Sequence, residues 1–337
     1  MRAFVITGPG EADVRDVPEP SAGPGQVVVQ VERAGICGTD LEIYSGHMSY
    51  LETGEASYPI RIGHEWCGIV ASVGDGVDRS WLGRWVAGDT MLGCGQCERC
   101  QRGRHYLCAD RHEIGIRHGW PGALAEFLLV PAHALVALPD GVDPMTGALV
   151  EPGGNAMRAI DGASLAADDR LLIIGPGTIG LLAALIARDQ GNEVHLVGTE
   201  PHTLDFARTL GFDHCWTTAG LPGLRFDVVI DASNSADVPA RAAKLVEPGG
   251  RLVLIGLSTV PSLVDTRVLA LRDITAVGVL GGSKGLARAA HLYATGAVDP
   301  TPLVAATIPL DQTQTALSGT RPATWPPAPK IHINPRL

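Results

Sequence analysis

Aromatic side chains and positive charge are both scarce in this chain. Aromatic residues make up 5% of the sequence, and 26 Lys and Arg stand against 36 Asp and Glu, for a formal net charge of −10. Proteins that bind single-stranded nucleic acid stack bases on aromatic rings, and phosphate backbones and anionic membrane surfaces attract Lys and Arg. The composition therefore predicts that neither nucleic acid nor a membrane is a partner.

Long apolar runs are also lacking. The longest candidate, Leu181 to Ala187, is flanked by Gly180 and Arg188 and is far shorter than a membrane span. The first seven residues are followed at once by Gly8-Pro9-Gly10, which predicts a first strand rather than a signal peptide. We therefore expect a cytoplasmic protein whose seven Cys are reduced, and in that compartment clustered cysteines bind metal more often than they form disulfides.

The rhythm of the chain predicts an α/β protein built of two packed units. Up to about residue 150, short apolar runs such as 26–31 and 68–73 are broken by Gly and Pro, which favours a β-rich, mainly antiparallel unit. From 170 to 279 strands alternate with helices, which is typical of a doubly wound parallel sheet. After about residue 285 come a helix, a strand, a Pro-rich loop and a last short strand at 330–333.

A glycine-rich turn lies between the first strand and the first helix of the second unit. It reads Gly175-Pro176-Gly177-Thr178-Ile179-Gly180, and in this context G-x-G-x-x-G predicts a dinucleotide site. Gly175 permits the tight turn, Gly177 the approach of the pyrophosphate and Gly180 close packing of helix on strand. Backbone N–H groups of the helix start, at Thr178 and Ile179, face the phosphates.

The end of the next strand indicates which dinucleotide is bound. It reads Gly198-Thr199-Glu200-Pro201-His202, and a carboxylate here accepts from the ribose diol of NAD and repels a 2′-phosphate. Glu200 favours NAD over NADP. Gly198 at the terminal strand position, with His202 as a weak phosphate partner, is the alternative.

Four cysteines form the most specific motif. Cys94, Cys97 and Cys100 are separated by two residues each, and Cys108 follows after seven more. Four thiols at this spacing close a tetrahedral Zn²⁺ site without an open position, so we expect a structural zinc that fixes a loop. Cys67 and Cys215 each lie beside a Trp and are expected in the core.

A second set of ligands has the composition of a catalytic zinc site. Such a site needs three protein ligands and one free position. Cys37 lies in a glycine-flanked turn, His64-Glu65 follows Gly63, and Glu151 precedes Pro152-Gly153-Gly154. Cys37 and His64 with either Glu65 or Glu151 meet the requirement, so a second Zn²⁺ is predicted.

Four motifs together resemble the zinc-dependent medium-chain alcohol and polyol dehydrogenases. Cys-Gly-Thr-Asp at 37–40, Gly-His-Glu at 63–65, the four-cysteine lobe at 94–108 and the glycine turn at 175–180 occur in that family's order. The resemblance implies a GroES-like catalytic domain over 1–150, a Rossmann domain over 151–285, and a tail over 286–337 that returns to the catalytic domain.

The resemblance also implies an activity and roles for single residues. Reversible hydride transfer between a secondary alcohol and NAD(P) is expected, with Thr39 relaying the alcohol proton, Asp40 accepting a hydrogen bond from His64, and Asn155 near the nicotinamide. His47 is a candidate for the substrate pocket, as are Tyr44, Glu113, Arg117 and His118. A homodimer or homotetramer is typical of the family.

Substrate identity stays open between two branches. Glu151 is similar to the glutamate of the sorbitol, glucose and threonine dehydrogenases, so a polyol, sugar or cyclitol is one expectation and L-threonine the other. Met91 stands where threonine dehydrogenases usually carry a histidine. The alternative of another class is a nucleotide-binding redox sensor without turnover, which the complete ligand set disfavours.

Overall fold

The computed structural model describes residues 1–337, which form 17 strands and eleven α-helices. The strands are β1 (Arg2–Gly8), β2 (Glu11–Asp16), β3 (Gln26–Gly35), β4 (Glu65–Val73), β5 (Trp85–Gly88), β6 (Met91–Leu92), β7 (His112–Glu113), β8 (Phe127–Pro131), β9 (Leu135–Ala137), β10 (Arg170–Ile174), β11 (Glu193–Gly198), β12 (Cys215–Thr217), β13 (Phe226–Asp231), β14 (Val246–Leu254), β15 (Thr275–Gly278), β16 (Val304–Pro309) and β17 (Lys330–Asn334). The helices are α1 (Gly38–Ser45), α2 (Ser49–Glu52), α3 (Glu98–Gln101), α4 (Pro144–Ala148), α5 (Val150–Ala163), α6 (Thr178–Asp189), α7 (Pro201–Thr209), α8 (Val238–Leu245), α9 (Thr266–Leu271), α10 (Leu286–Ala294) and α11 (Thr313–Leu317).

The larger sheet belongs to the β-rich unit and is mainly antiparallel. Its order is β16-β17-β3-β4-β5-β9, with β8 also paired to β3. Along β3, Val27, Val29 and Val31 are fully buried because the side chains of a strand alternate between its two faces. The tail returns to this sheet through β17, which pairs antiparallel with β3.

The second sheet is parallel and doubly wound, as the alternation of strands and helices predicts. Its order is β12-β11-β10-β13-β14-β15, so the chain winds outward from β10 in both directions. The central strand β10 is an unbroken apolar run because helices cover both faces of such a sheet. The carboxyl ends of β10 and β13 meet at the point where the strand order reverses, which is where ligands bind in this class of sheet.

Two elements differ from the expectation. The Pro248-Gly249-Gly250 segment, whose composition is typical of a turn, lies inside β14, where the pairing with β13 shifts register. Residues 150–163, which contain the Pro152-Gly153-Gly154 run, form the 14-residue helix α5. None of the helices combines the length and the apolar character needed to span a bilayer.

Candidate active site and metal centres

A cleft of about 1770 Å³ runs between the two sheets. Its walls carry most of the residues singled out in the sequence, namely Cys37, Thr39, Tyr44, His47, His64, Glu65, Glu113, Glu151, Asn155, Gly175, Gly177, Thr178, Ile179 and Glu200. Ligand-type side chains of the β-rich unit and the glycine turn of the parallel sheet therefore face one space.

Asp40 ties together the two chain segments that carry Cys37 and His64. Its Oδ2 accepts from the backbone N–H of Cys37 at 2.9 Å, where α1 begins, and its Oδ1 accepts from the backbone N–H of Gly63 at 3.2 Å. Gly63 has φ +100°, and a Cβ there would lie 2.8 Å from the backbone nitrogen of Leu124. Only glycine fits this positive φ and this close contact.

The hydrogen bond predicted between Asp40 and His64 is not formed. Nδ1 of His64 lies 3.6 Å from Oδ1 of Asp40, an ion-pair distance too long for a hydrogen bond, and this buried nitrogen has no hydrogen-bond partner. Both Asp40 oxygens are engaged by backbone N–H groups instead. Burial lowers the pKa of His64, but the charges of Asp40 and Cys37 outweigh it and hold the pKa well above its ordinary value.

Lys330 is the buried partner of Glu65, and no motif in the sequence indicates this contact. Its Nζ donates to both carboxylate oxygens of Glu65, at 2.8 and 2.6 Å, and to the carbonyl of Ile36 at 2.8 Å. Burial lowers the pKa of Lys330, but the Glu65 carboxylate more than compensates and raises it. The signal available in the sequence was a lone Lys at the start of a short apolar strand.

Glu151 lies in the first turn of α5, and Asn155 lies one turn further along the helix. Nδ2 of Asn155 donates to Oε1 of Glu151 at 3.0 Å. Burial raises the pKa of Glu151 to about 7, while the positive charge of His64 opposes and the negative charge of Glu65 adds to the rise. Asn155 thus contacts the carboxylate that was predicted as a metal ligand.

The cluster has the donor set of a zinc site. One ligand atom each of Cys37, His64 and Glu65 lies within 4.8 Å of the others, whereas Glu151 is outside this group. A thiol, an imidazole and a carboxylate are ligand types that suit Zn²⁺. The residues therefore fit a bound metal ion.

The four-cysteine lobe converges as the spacing predicts. Cys94 and Cys100 have their sulfurs 4.0 Å apart, and those of Cys97 and Cys108 are 3.8 Å apart. Zn–S bonds of 2.3 Å in a tetrahedron place sulfurs about 3.8 Å apart, far beyond a disulfide bond. The backbone N–H groups of Gln96 and Cys97 lower the pKa of Cys94 to about 6, which favours the thiolate that metals bind. Cys67 and Cys215 are buried in the core, as predicted.

The lobe is fastened to the parallel-sheet unit by contacts that the sequence did not reveal. The Tyr106 ring lies 4.7 Å from the guanidinium of Arg158 and 5.9 Å from Nζ of Lys284. Asp89 accepts from Ser283 at 2.9 Å and bonds His105 of the lobe at 2.7 Å. These contacts link the lobe to residues that border the cleft.

The glycine turn has room for a ligand at the position where one is expected. Gly175 has φ +98°, and a Cβ at Gly180 would lie 2.1 Å from the carbonyl of Gly175, so both positions require glycine. A Cβ at Gly177, which caps α6, would meet nothing within 4 Å. Glu200 is exposed at the start of α7, two residues beyond β11.

The part of the cleft where substrate is expected to bind is polar, although two of the residues predicted to line it lie elsewhere. Glu113 is buried, accepts from Arg111 at 2.8 Å and from the hydroxyl of Tyr50 at 3.3 Å, and lines the cleft. Arg117 and His118 do not line it: Arg117 pairs with Glu55, and His118 packs against His112. His47 is exposed, with Nδ1 3.0 Å from the hydroxyl of Ser45.

Two family models match the chain. Residues 23–140 match the alcohol dehydrogenase GroES-like domain, and residues 178–295 match the zinc-binding dehydrogenase family. An L-threonine 3-dehydrogenase from Saccharopolyspora erythraea is 33% identical over 293 residues, which cover 83% of this chain and 84% of the relative. A second L-threonine 3-dehydrogenase, from Deinococcus radiodurans, is 30% identical over 294 residues, covering 83% of each chain.

Solved structures agree over nearly the whole length. An Escherichia coli alcohol dehydrogenase complexed with NADH has a TM-score of 0.90 at 25% identity, and a Sinorhizobium meliloti zinc-binding dehydrogenase bound to NADP has 0.88 at 29%. Each comparison covers 99% of both chains. The sequence relatives, the family models and these folds agree with the ligand clusters: the chain belongs to the zinc-dependent medium-chain dehydrogenase family and is an oxidoreductase of the alcohol dehydrogenase type.

Proposed function

We propose that the protein is a zinc-dependent dehydrogenase that reversibly oxidises a secondary alcohol to a ketone, with NAD as the hydride acceptor. The observation that carries this proposal is the convergence of Cys37, His64 and Glu65 on the cleft that also holds the glycine turn. Bound Zn²⁺ supplies a Lewis acid for the alcohol oxygen, and bound dinucleotide supplies the acceptor. Metal binding, proton transfer and the choice of cofactor are performed by side chains of this protein.

Glu65 is the third protein ligand in this proposal, and Glu151 is the carboxylate that exchanges with it. Glu65 belongs to the close cluster, whereas Glu151 stands beside it and is held by Asn155. Lys330 keeps a positive charge against Glu65 and limits how far that carboxylate can move. The four sulfurs of the lobe hold a second, structural zinc ion. Elemental analysis tests the count, with two Zn per chain expected.

Thr39 is placed to pass the alcohol proton toward solvent. It follows Cys37 by two residues in the first turn of α1 and lines the cleft. His47 lies beyond the other end of this helix and lines the outer cleft, where it contacts substrate in our proposal. A Thr39→Val variant tests the relay: it keeps the shape, loses the hydroxyl, and should lower kcat far more than it raises the KM of the alcohol.

Glu200 sets the preference for NAD. It is exposed, lines the cleft, and stands where a carboxylate meets the adenosine ribose in dinucleotide-binding folds. One structural relative is bound to NADH and the other to NADP, so the relatives do not indicate the cofactor. We therefore base the preference for NAD on Glu200. The test is kcat/KM with each dinucleotide, for wild type and Glu200→Ala. A wild-type preference for NADP would refute this assignment.

The substrate is a polyol, a sugar or a cyclitol, with L-threonine as the competing candidate. The buried carboxylate of Glu113, with Tyr50 beside it, offers hydrogen bonds that suit a hydroxyl-rich molecule. The same carboxylate, which already pairs with Arg111, also offers an acceptor for the ammonium of an amino alcohol, and sequence relatives are L-threonine 3-dehydrogenases. Initial rates with L-threonine, sorbitol, glucose and inositol separate the two. Cofactor binding without oxidation of any alcohol in a broad panel would instead support a redox sensor.

We also propose a homodimer or homotetramer in the cytoplasm, with domains over 1–150, 151–285 and 286–337. The edge strand β15 is largely exposed, and Leu263 and Leu271 beside the same sheet are 88% and 86% exposed. An uncovered strand edge with apolar neighbours favours pairing with a second copy. Light scattering after gel filtration gives the mass. A monomer at micromolar concentration would refute the oligomer, and Leu271→Asp should weaken it.

A further inference from the structure

A third group of metal-ligand side chains lies outside the cleft. One ligand atom each of Glu193, His195 and His214 lies within 4.8 Å of the others. Glu193 is the first residue of β11, and His214 immediately precedes β12. The group therefore stands at the amino ends of these parallel strands, at the edge of the sheet opposite the glycine turn. None of its members lines the cleft.

The pairing of the two strands fixes the geometry of the group. The backbone N–H of Leu196 donates to the carbonyl of His214 at 2.8 Å, which anchors His214 beside β11. The rings of His195 and His214 are stacked, with centroids 4.3 Å apart and an interplanar angle of 7°. Nε2 of His195 lies 2.7 Å from Oε1 of Glu193. Three potential ligands are thus presented by two adjacent strands.

One member of the group, His195, is buried, and the other two are exposed. The His195 side chain is 2% exposed, and burial lowers its pKa, so its imidazole is neutral at neutral pH, as metal coordination requires. Glu193 and His214 are exposed and reachable from solvent. Nδ1 of His195 accepts from the indole N–H of Trp216 at 3.1 Å, which leaves Nε2 to carry the proton that faces Glu193.

We propose that Glu193, His195 and His214 bind a divalent transition-metal ion such as Zn²⁺ and join the amino ends of β11 and β12. Two imidazoles and one carboxylate suit Zn²⁺, Ni²⁺ and Fe²⁺, and water completes the coordination. His214 is exposed and free to tilt out of the ring stack so that its lone pair points at the ion. This centre is separate from the two zinc ions of the proposed function and does not depend on it.

Binding has two local costs, and both can be measured. Binding requires the other tautomer of the neutral His195 ring: its single proton moves from Nε2 to Nδ1, Nε2 is then free for the ion, and Nδ1 can no longer accept the hydrogen bond from Trp216. Arg170, whose Nε donates to Oε1 of Glu193 at 3.0 Å, has to release that carboxylate. Removing either competitor should therefore tighten binding, which a purely structural role of the cluster does not predict.

The experiment is equilibrium dialysis of the zinc-loaded protein against buffered free Zn²⁺, with metal counted by elemental analysis. Wild type should take up one equivalent beyond its resident zinc, and Trp216 emission should change as it does so. His214→Ala should weaken this binding by at least the roughly 10- to 100-fold that losing a hydrogen-bond partner of a ligand costs. His291→Ala, which removes an exposed histidine elsewhere, is the matched control and should bind normally.

Two further variants test whether Arg170 and Trp216 compete with the ion. Arg170→Gln should bind the additional ion more tightly than wild type, and Trp216→Phe should also bind it more tightly while losing the emission change. Turnover should be unchanged in His214→Ala, since no residue of the group lines the cleft. Equal uptake by wild type and His214→Ala, or no additional equivalent in Arg170→Gln, would overturn the proposal.

Discussion

The cysteine lobe and the proposed catalytic cluster, which consists of Cys37, His64 and Glu65, are both zinc-type ligand sets, but the chain builds them in different ways. All four ligands of the lobe lie within the 15 residues from Cys94 to Cys108. The catalytic cluster takes Cys37 from the start of α1 and His64 and Glu65 from the start of β4, and its neighbours Glu151 and Lys330 from α5 and β17. One set is local, whereas the other exists only when the whole fold is present.

This difference predicts that replacing a ligand of one site removes the zinc ion of that site and leaves the other ion bound. Cys37→Ser should lower turnover by about 10³-fold or more, because Lewis-acid stabilisation of several kcal/mol is lost and each 1.4 kcal/mol is a factor of ten. Zinc should fall from two ions to one per chain, and the fold should persist. Activity assays and elemental analysis on the same preparation measure both effects.

Cys100→Ser is the matched change in the lobe. It should also remove one zinc ion, but the ion retained should be the catalytic one, with reduced thermal stability and substantial turnover. If Cys100→Ser abolished activity while the protein stayed folded, or if Cys37→Ser remained active, the division between a local structural site and a non-local catalytic site would be wrong.

Lys330 is the part of the catalytic cluster that depends most on the complete fold. Its buried ion pair with Glu65, at 2.6 Å, connects the last strand to the metal site. Lys330→Met leaves a buried carboxylate without its counter-ion, which typically costs about 3–5 kcal/mol of unfolding free energy. Urea unfolding of the protein after a chelator has removed its zinc measures this decrease in unfolding free energy.

The control for this change is Lys244→Met, an exposed lysine whose removal should alter stability little. The double variant Lys330→Met with Glu65→Gln should recover part of the loss, because the amide carries no charge. Equal stability of Lys330→Met and wild type would show that the pair contributes nothing to holding the tail.

These contrasts also explain what the sequence could predict. The lobe follows from spacing alone, and the doubly wound sheet follows from periodic strands and helices. Helix α5 was hidden because Pro152, Gly153 and Gly154 disfavour helices. The structure shows why they are present: a Cβ at Gly153 would lie 2.1 Å from the Tyr293 hydroxyl, and one at Gly154 2.6 Å from Leu286, so α10 can pack closely on α5. The bond from Asn155 to Glu151 depends on that helix, and the contact of Lys330 depends on where the tail returns. Neither is encoded in a local pattern.

One buried histidine on the last strand makes the stability of the fold depend on pH. His332 lies behind the catalytic cluster on β17, both its ring nitrogens lack partners, and burial, with the charges of Lys330 and Arg33, lowers its pKa to about 3. In the unfolded chain its pKa is about 6.5, so only the unfolded state gains a proton between these values. The contribution of His332 to the free energy of unfolding is therefore fully present above about pH 6.5. It falls by about 1.4 kcal/mol for each pH unit below that value.

His332→Leu should remove this slope. The measurement is the difference in unfolding free energy between wild type and variant at pH 7 and at pH 5, where the His332 contribution should differ by about 2 kcal/mol. Other groups, including the metal ligands, also titrate in this range, but they do so in both proteins. His291→Leu, at an exposed histidine, should leave the wild-type slope intact. Parallel pH profiles for wild type and His332→Leu would contradict the assignment.

The smallest expected effect concerns the place where the local site meets the rest of the fold. Tyr106 of the lobe lies between Arg158 and Lys284, and Arg158 also donates to the carbonyls of Leu280 and Gly281, which line the cleft. Tyr106→Leu should cost about 1 kcal/mol of stability through the lost cation–π contacts. It should raise the KM for the dinucleotide more than it lowers kcat, because the chemistry is untouched while the 280–281 segment loses support.

Tyr106→Phe is the discriminating control, since it keeps the aromatic ring and loses only the hydroxyl. It should behave as wild type in thermal unfolding and in the KM for the dinucleotide, whereas Tyr106→Leu should not. If both variants shifted equally, the hydroxyl rather than the ring face would be responsible. If neither shifted, the lobe would be as independent of the cofactor domain as its local ligand spacing suggests, and its zinc would stabilise only the loop that contains it.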